Sequence, residues 1–405
     1  MVKSSVGERT AEITRSTAVK FVVLLGFVSL FADMTYEGAR SITGPFLGYL
    51  GASGAVVGFV AGFGELLGYG LRFVSGYLSD KTQRYWLITL VGYVMNLLAV
   101  PLLALAGNWP LAALLIILER TGKAIRNPAR DTMLSHATSR VGHGWGFALH
   151  EAMDQIGAII GPIIIAVAMR ISHSYRPAFG VTLIPALLAL TVLTAARILY
   201  PRPRDLEVKT TNIEAKGMSK RFWIYIGAIC LVAAGYVDFP LIAYHLQRVA
   251  AVQTDWIPIL YAVAMGVDAI AALIFGRLYD RIKMSSLVTA VALSAFFAVF
   301  AFTSSLHLAV IGVVLWGVGM GAQESILRAA IAEMVPPERR GSAYGIFNAG
   351  YGLAWFLGSA LMGLIYDFSL PAMVAFSLFS QLAAVVILVV VSRGGRLNAT
   401  ALEGR

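Results

Sequence analysis

Residues 85–118 read YWLITLVGYVMNLLAVPLLALAGNWPLAALLIIL, a run without one Asp, Glu, Lys or Arg. A helix rising about 1.5 Å per residue crosses a hydrocarbon core of roughly 30 Å in about 20 residues, so this run is too long for one crossing and must hold two. Gly107-Asn108-Trp109-Pro110 supplies the turn between them. Segments 41–64, 284–323 and 341–366 also lack the four charged types, and 284–323 again has room for two crossings, turning at Ser304-Ser305. The composition agrees. Hydrophobic residues make up 58% of the 405 and charged ones 13%, against about 25% charged in an ordinary soluble domain, and the mean hydropathy is +0.75.

Reading outward from that run gives apolar spans near 20–45, 53–79, 86–106, 110–138, 144–169, 177–197, 221–246, 256–277, 285–303, 307–334, 342–366 and 371–392. Only a helix or a closed barrel can span lipid without stranding backbone polar groups, and these runs lack the alternation of barrel strands. The expected class is an all-α multi-pass membrane protein with twelve transmembrane helices. The first span is long, carries charges and follows a polar stretch, so it reads as a retained helix and not as a cleaved signal peptide. Cys230 is the single cysteine, lies within the seventh span and reads as packing.

The net charge of +10 raises the question of nucleic acid, which the placement of the basic residues answers. With an inside amino terminus, 22 of the 32 Lys and Arg fall in segments 1–20, 80–85, 139–143, 197–221, 277–283, 335–341 and 393–405. Three, Arg170, Arg176 and Arg248, fall in outside loops, and seven lie in spans. That asymmetry expects both termini in the cytoplasm of a protein in the plasma (inner) membrane. The basic excess is topological, and no nucleic-acid partner is implied.

Tyr200–Lys220, rich in Pro, Lys and Thr, divides the chain almost evenly. The expected organisation is an N-terminal tail 1–20, a six-helix bundle 21–199, a linker 200–220, a second six-helix bundle 221–392 and a C-terminal tail 393–405. An internal repeat supports it: Gly76-Tyr-Leu-Ser-Asp80-Lys81 returns as Gly276-Arg-Leu-Tyr-Asp280-Arg281, and Trp145-Gly146-Phe147-Ala148 is answered by Tyr344-Gly345-Ile346-Phe347.

On these residues the chain resembles the major facilitator superfamily over essentially its whole length. The resemblance implies two pseudo-symmetric bundles related by an axis along the membrane normal. It also implies a gating motif made of Gly76, Asp80, Lys81 and Arg84 and its copy Gly276, Asp280 and Arg281. Asp80 and Asp280 would then latch the cytoplasmic ends of the halves through helix termini and basic side chains. The usual motif has a further glycine, which this chain lacks twice, reading Gln83-Arg84 and Ile282-Lys283, so the tight turn there is unexplained. Arg120-Thr-Gly122-Lys-Ala124 resembles an intramembrane motif of proton-coupled drug antiporters. Gly157-Ala-Ile-Ile-Gly161-Pro162 is similar to their Gly-rich helix 5 motif but continues as Ile163-Ile164-Ile165-Ala166. Plain helix packing is the other reading of those small residues.

The spans hold eighteen charged residues, thirteen in the first half and five in the second. At roughly 2.5–3.5 kcal/mol for a central charge, exposing them all to lipid would cost on the order of 50 kcal/mol. They must pair with one another or line a watery hollow. Glu119, Lys123, Arg126 and Arg130 share one stripe of the fourth helix; Asp33, Glu37 and Arg40 share one of the first; His150, Asp154, Gly157 and Gly161 share one of the fifth. Glu65 with Arg72, Asp238 with His245, and Glu324 with Arg328 do likewise. For Arg72, Asp131 and Glu333, near the cytoplasmic ends, buried ion pairing is the favoured reading. For Asp33 and Glu37, at mid-depth beside an unwinding signal at Gly44-Pro45, function is favoured.

A carboxyl group in a low-dielectric site can take up and release a proton near neutral pH, which is what a proton-coupled carrier requires. Asp33, Glu37, Glu151 and Asp154 are expected to carry protons or attract a cationic substrate. Arg40, Glu119, Arg120, Lys123, Arg126, Asp238, Glu324 and Arg328 complete the expected binding set. His150-Glu151 lacks the second histidine of a zinc-protease helix, and no phosphate-binding Gly-rich loop exists, so no enzyme activity and no cofactor are expected. The expected function is a secondary transporter, acting as a monomer by alternating access, that exports a small organic solute against protons. The alternatives are an organic-anion symporter using the helix 4 stripe, a divalent-metal exporter using carboxylates with His150 or His245, and a non-transporting receptor of the same fold.

Overall fold

The computed structural model describes residues 15–138, 143–201, 218–336 and 339–403. Most of the expected N-terminal tail and linker lie outside the described residues. Each apolar run forms a helix, or a rod of two consecutive helices. The first half holds α1 (Arg15–Tyr49), α2 (Gly54–Thr82), α3 (Tyr85–Leu102), α4 (Trp109–Thr138), α5 (His143–Ser172), and a sixth rod of α6 (Tyr175–Val181) and α7 (Leu183–Leu199). The second holds α8 (Lys220–Gly235) and α9 (Phe239–Arg248) as one interrupted rod, then α10 (Ile257–Ile282). It continues with α11 (Met284–Ser294) and α12 (Phe297–Ala301) as another, followed by α13 (Leu306–Met334), α14 (Arg340–Phe368) and α15 (Leu370–Glu403). Among the described residues there is no strand.

Eleven of these twelve rods are long and apolar enough to cross a membrane. The other, α4, is long enough but carries Glu119, Arg120, Lys123, Arg126, Arg130 and Asp131. α15 continues as helix to Glu403, through the segment expected to be a tail.

One local expectation is corrected. Gly44-Pro45 does not unwind α1, which runs unbroken past Pro45. Proline there removes a single donor, whereas an open turn in lipid would strand several groups. Gly44 instead lets α1 approach the backbone of Pro240, where a Cβ would overlap the carbonyl. The interruption falls between α8 and α9. Asp238 caps α9 by accepting the Phe239 amide at 2.9 Å, and Pro240 follows in the first turn, where its missing amide hydrogen costs nothing.

Within the first half α1 packs on α5 and α7, and α4 on α2 and α3; within the second, α10 packs on α13, and α8 on α14 and α15. The seam between the halves is carried by α2 against α14 and α5 against α10, with α1 resting on α9. At Gly58 and Gly62 the α2 and α14 backbones approach so closely that a Cβ would strike Ser359 or Phe356, the close packing small residues permit in lipid. Phe59 and Phe63 set their rings against Phe356 at 5.5 and 5.8 Å.

The end of the molecule opposite the two termini, called distal below, is fastened across the seam. Gly54 and Ala55 donate backbone N–H groups to Asp367 at 2.9 and 2.8 Å, Arg170 meets Asp255 at 2.9 Å, and Gln247 Nε2 donates to the Tyr175 hydroxyl at 2.7 Å. On the other side of mid-depth lie two cavities.

Candidate functional site: a charged hollow on the seam

Asp33, Glu37 and Arg40 point inward from one face of α1, as their spacing requires, and all three are buried. Arg40 Nη2 lies 2.7 Å from Asp238 Oδ1 and 3.2 Å from Glu65 Oε1. One turn away, Glu37 accepts the Tyr261 hydroxyl at 2.5 Å and stands 3.5 Å from the Lys123 ammonium. Asp238 and Tyr261 belong to the second half, so two charged residues of α1 each bind across the seam. Removing water from these charges is costly, and only mutual pairing compensates.

The α4 stripe divides along its length. Glu119 accepts from Asn96 Nδ2 at 2.8 Å and stands 3.4 Å from Arg120 Nε, and Arg120 Nη2 reaches Glu65 at 3.4 Å. Glu119, Arg120, Arg40 and Asp238 border a void of about 30 Å³, water-sized by ordinary standards. Further along, the Lys123 ammonium lies 3.8 Å from the Tyr36 ring centroid. Arg126 is wholly buried above the Tyr93 ring at 4.2 Å, and none of its guanidinium nitrogens has a hydrogen-bond partner among the described residues. The aromatic faces supply its attraction. Arg130 turns to Asp131 at 2.8 Å and Ser29 at 3.0 Å.

Asp33 has a different environment from Glu37. It accepts a short hydrogen bond from the Tyr36 hydroxyl, and no Lys or Arg stands within 4.0 Å of it among the described residues.

A cavity of about 160 Å³ separates these α1 and α4 groups from Glu151 and Asp154 of α5, Asp268 of α10 and Glu324 of α13. A second, of about 410 Å³, shares Glu151, Met320 and Glu324 with it and extends past Tyr69, Arg72 and Arg328. The hollow therefore lies on the seam, with walls from both halves, and has the volume, charge and water access to hold a small polar solute.

The expected binding residues are all brought to this hollow or to the ion-pair network at its head. The two histidines are not brought together: His150 Nδ1 faces Asp154 at 3.6 Å, while His245 Nδ1 meets the Tyr366 hydroxyl at 3.0 Å in α9. Among the described residues no group of three or more His, Cys, Asp or Glu is placed to hold a metal ion. Glu65 stands out in the sequence only by sharing a stripe with Arg72, and Asp268 only as a charge within a span. Tyr36, Tyr261 and Gln155 carry no sequence signal that separates them from ordinary span residues.

A family model for the Major Facilitator Superfamily matches residues 23–321 and, in a second match, 224–404. The chain belongs to the major facilitator superfamily. An uncharacterized protein of Mycobacterium tuberculosis is 43% identical over 379 residues, 92% of this chain and 93% of that one. The fosmidomycin resistance protein of Escherichia coli is 25% identical over 317 residues, 73% and 74% of the two chains. The crystal structure of peptide transporter POT in complex with sulfate matches with a TM-score of 0.73 at 13% identity, covering 92% of this chain and 93% of that one. At that identity the likeness is one of fold.

In this facilitator Asp80, Lys81, Arg84, Asp280 and Arg281 form no ion pair among the described residues. The turn left unexplained by the missing glycines is made all the same: Gln83 and Lys283 take left-handed backbones, at φ 56° and 52°. Gln83 Nε2 holds the Asp80 carbonyl at 2.7 Å, and Lys283 Nζ meets Glu333 at 2.6 Å. Gly157 and Gly161 face α1, where a Cβ would strike the Leu30 and Met34 carbonyls. They set α1 directly on α5, with the Asp33 Cβ at the contact beside Gly157.

Proposed function

We propose that this facilitator is a secondary transporter that works by alternating access and exports a small organic solute in exchange for protons. The observation carrying the reading is the seam hollow: it is lined by charged groups of both halves, while the distal end is fastened by Asp367, Asp255 and Tyr175. With both termini in the cytoplasm, as the basic loops favour, the hollow opens where an exporter loads its solute. The membrane supplies the gradient, and each chain holds its own complete hollow, in keeping with action as a monomer.

Asp33 is the proton site in this reading, because its only close polar partner among the described residues is the Tyr36 hydroxyl. Glu37, held by Lys123, Arg40 and Tyr261, tethers the halves. Glu151 and Asp154 sit where an incoming solute and a proton would compete. The name of the fosmidomycin resistance protein is in keeping with export. Proteoliposomes reconstituted with the full chain test the reading: solute-driven proton movement should be lost in Asp33→Asn. Movement persisting in both Asp33→Asn and Glu37→Gln would remove the assignment.

A second reading, proton-linked uptake of an organic anion, has the unpartnered Arg126 guanidinium in its favour. That guanidinium lies between the Tyr36 and Tyr93 rings, whose faces already hold it. A receptor of the same fold would tolerate neutralised cavity charges, which a carrier does not.

A further inference from the structure

The unpartnered atoms around the 160 Å³ cavity are sorted by chemistry and by wall. Among the described residues Asp154 Oδ1, Gln155 Oε1 and Asp268 Oδ1 are buried oxygens without a hydrogen-bond donor, and all three residues line the cavity on its α5 and α10 side. Asp268 is only 2% exposed. The basic residues of the lining other than Arg126 are occupied elsewhere: Arg40 by Asp238 and Glu65, Lys123 by Glu37, Arg130 by Asp131. No Lys or Arg lies within 4.0 Å of Glu151, Asp154, Asp268 or Glu324 among the described residues. Between the carboxylates the second half offers Tyr261, Met265, Trp316 and Met320, a wall suited to an apolar body.

Buried acceptor oxygens are costly when left without donors. A proton added to a carboxylate removes charge but supplies at most one donor, whereas a ligand that brings several N–H groups with a positive charge satisfies oxygens on both helices at once. We propose that this wall binds an organic ammonium or amidinium carrying N–H donors and a small apolar body, its cationic group set among Asp154, Gln155 and Asp268 with Glu324 beside it. The inference rests on the reading of this hollow as the transport site, and names the class of solute. A quaternary ammonium supplies the charge without the donors, so it leaves the same oxygens unsatisfied and binds more weakly. Tyr261, already donating to Glu37, stays in place and offers its ring edge.

The test is binding of benzylammonium, benzyltrimethylammonium and benzoate to the purified full chain at pH ~7, by titration calorimetry. Benzylammonium is expected to bind about tenfold or more tightly than its quaternary analogue, with benzoate weaker than both. Asp268→Asn and Glu324→Gln should each weaken benzylammonium and narrow its advantage over the quaternary ion. Equal affinity for the two cations, benzoate binding best, or no binding of benzylammonium at millimolar concentration each overturns the proposal. The order of the three probes on the unaltered protein decides the matter even where a variant fails to fold. Proteoliposomes separate it from the transport reading: benzylammonium that binds with this preference but moves no protons defeats proton coupling alone. Proton-coupled movement of some other solute, without the preference, defeats the ammonium assignment alone.

Discussion

Asp367, near the end of α14, places a carboxylate oxygen 2.9 Å from the backbone nitrogen of Gly54, the first residue of α2. Its other oxygen takes the Ala55 amide at 2.8 Å, so a side chain of one half caps a helix of the other. A carboxylate at a helix amino terminus meets unsatisfied N–H groups and the positive end of the dipole. This contact requires the distal ends of α2 and α14 to stay together.

Asp367→Ala should therefore loosen the distal end. Loss of a cap worth about 1 kcal/mol shifts a two-state balance roughly fivefold. Spin labels at Leu50 and Ser369 would show a new longer-distance population by double electron-electron resonance. An unchanged distance distribution would leave the contact without a gating role.

Arg40 is the hub of the buried network, and its removal leaves Asp238 without its cation and Glu65 with Arg120 alone. Arg40→Ala is expected to cost about 3–5 kcal/mol, read as a lowered thermal midpoint in detergent, with transport abolished. Arg40→Lys keeps the charge but not the two-pronged geometry and should fall between. Wild-type stability in Arg40→Ala would contradict the burial argument.

At Gly161 the α1 and α5 backbones leave no room for a side chain. Gly161→Leu should destabilise by about 1–3 kcal/mol through overpacking and displace Asp33 from the hollow. Gly345, with nothing near its Cβ position, is the control: Gly345→Ala should leave both stability and transport close to wild type. Comparable losses in the two variants would show that the effect is not one of close approach.

Gln83→Gly removes the strain of a left-handed residue, worth about 1 kcal/mol, and loses the short side-chain bond to the Asp80 carbonyl. A neutral to slightly raised thermal midpoint is expected. A marked fall would mean that the Gln83 side chain, and not the turn, fixes the loop between α2 and α3.

The charged stripes of α1 and α4 were legible because lipid forbids the alternative: a face carrying Asp33, Glu37 and Arg40 has to turn inward. The partners were not, since Arg40 meets Asp238 198 residues away and Glu37 meets Tyr261 at a separation of 224. Periodicity assigns a face and says nothing of which face it meets. Asp33 and Glu37 are indistinguishable by spacing and burial, yet one is left with a tyrosine hydroxyl and the other is held by three groups. The break before α9 had a signal in Asp238-Phe239-Pro240, a cap residue followed by proline, submerged in a continuous apolar run. Gly44-Pro45, the louder signal, serves close packing instead.

The charged residues of α4 bear on how the protein comes to exist at all. Such a segment partitions poorly into lipid alone, so it must enter the membrane already escorted. Its escort immediately precedes it in the chain: α3 offers Asn96 to Glu119, and Gly92 and Gly122 let the two backbones touch. Synthesis would then deliver α3 and α4 as one hairpin, and a substitution at Asn96 would be felt first as failed biogenesis, before any solute is met.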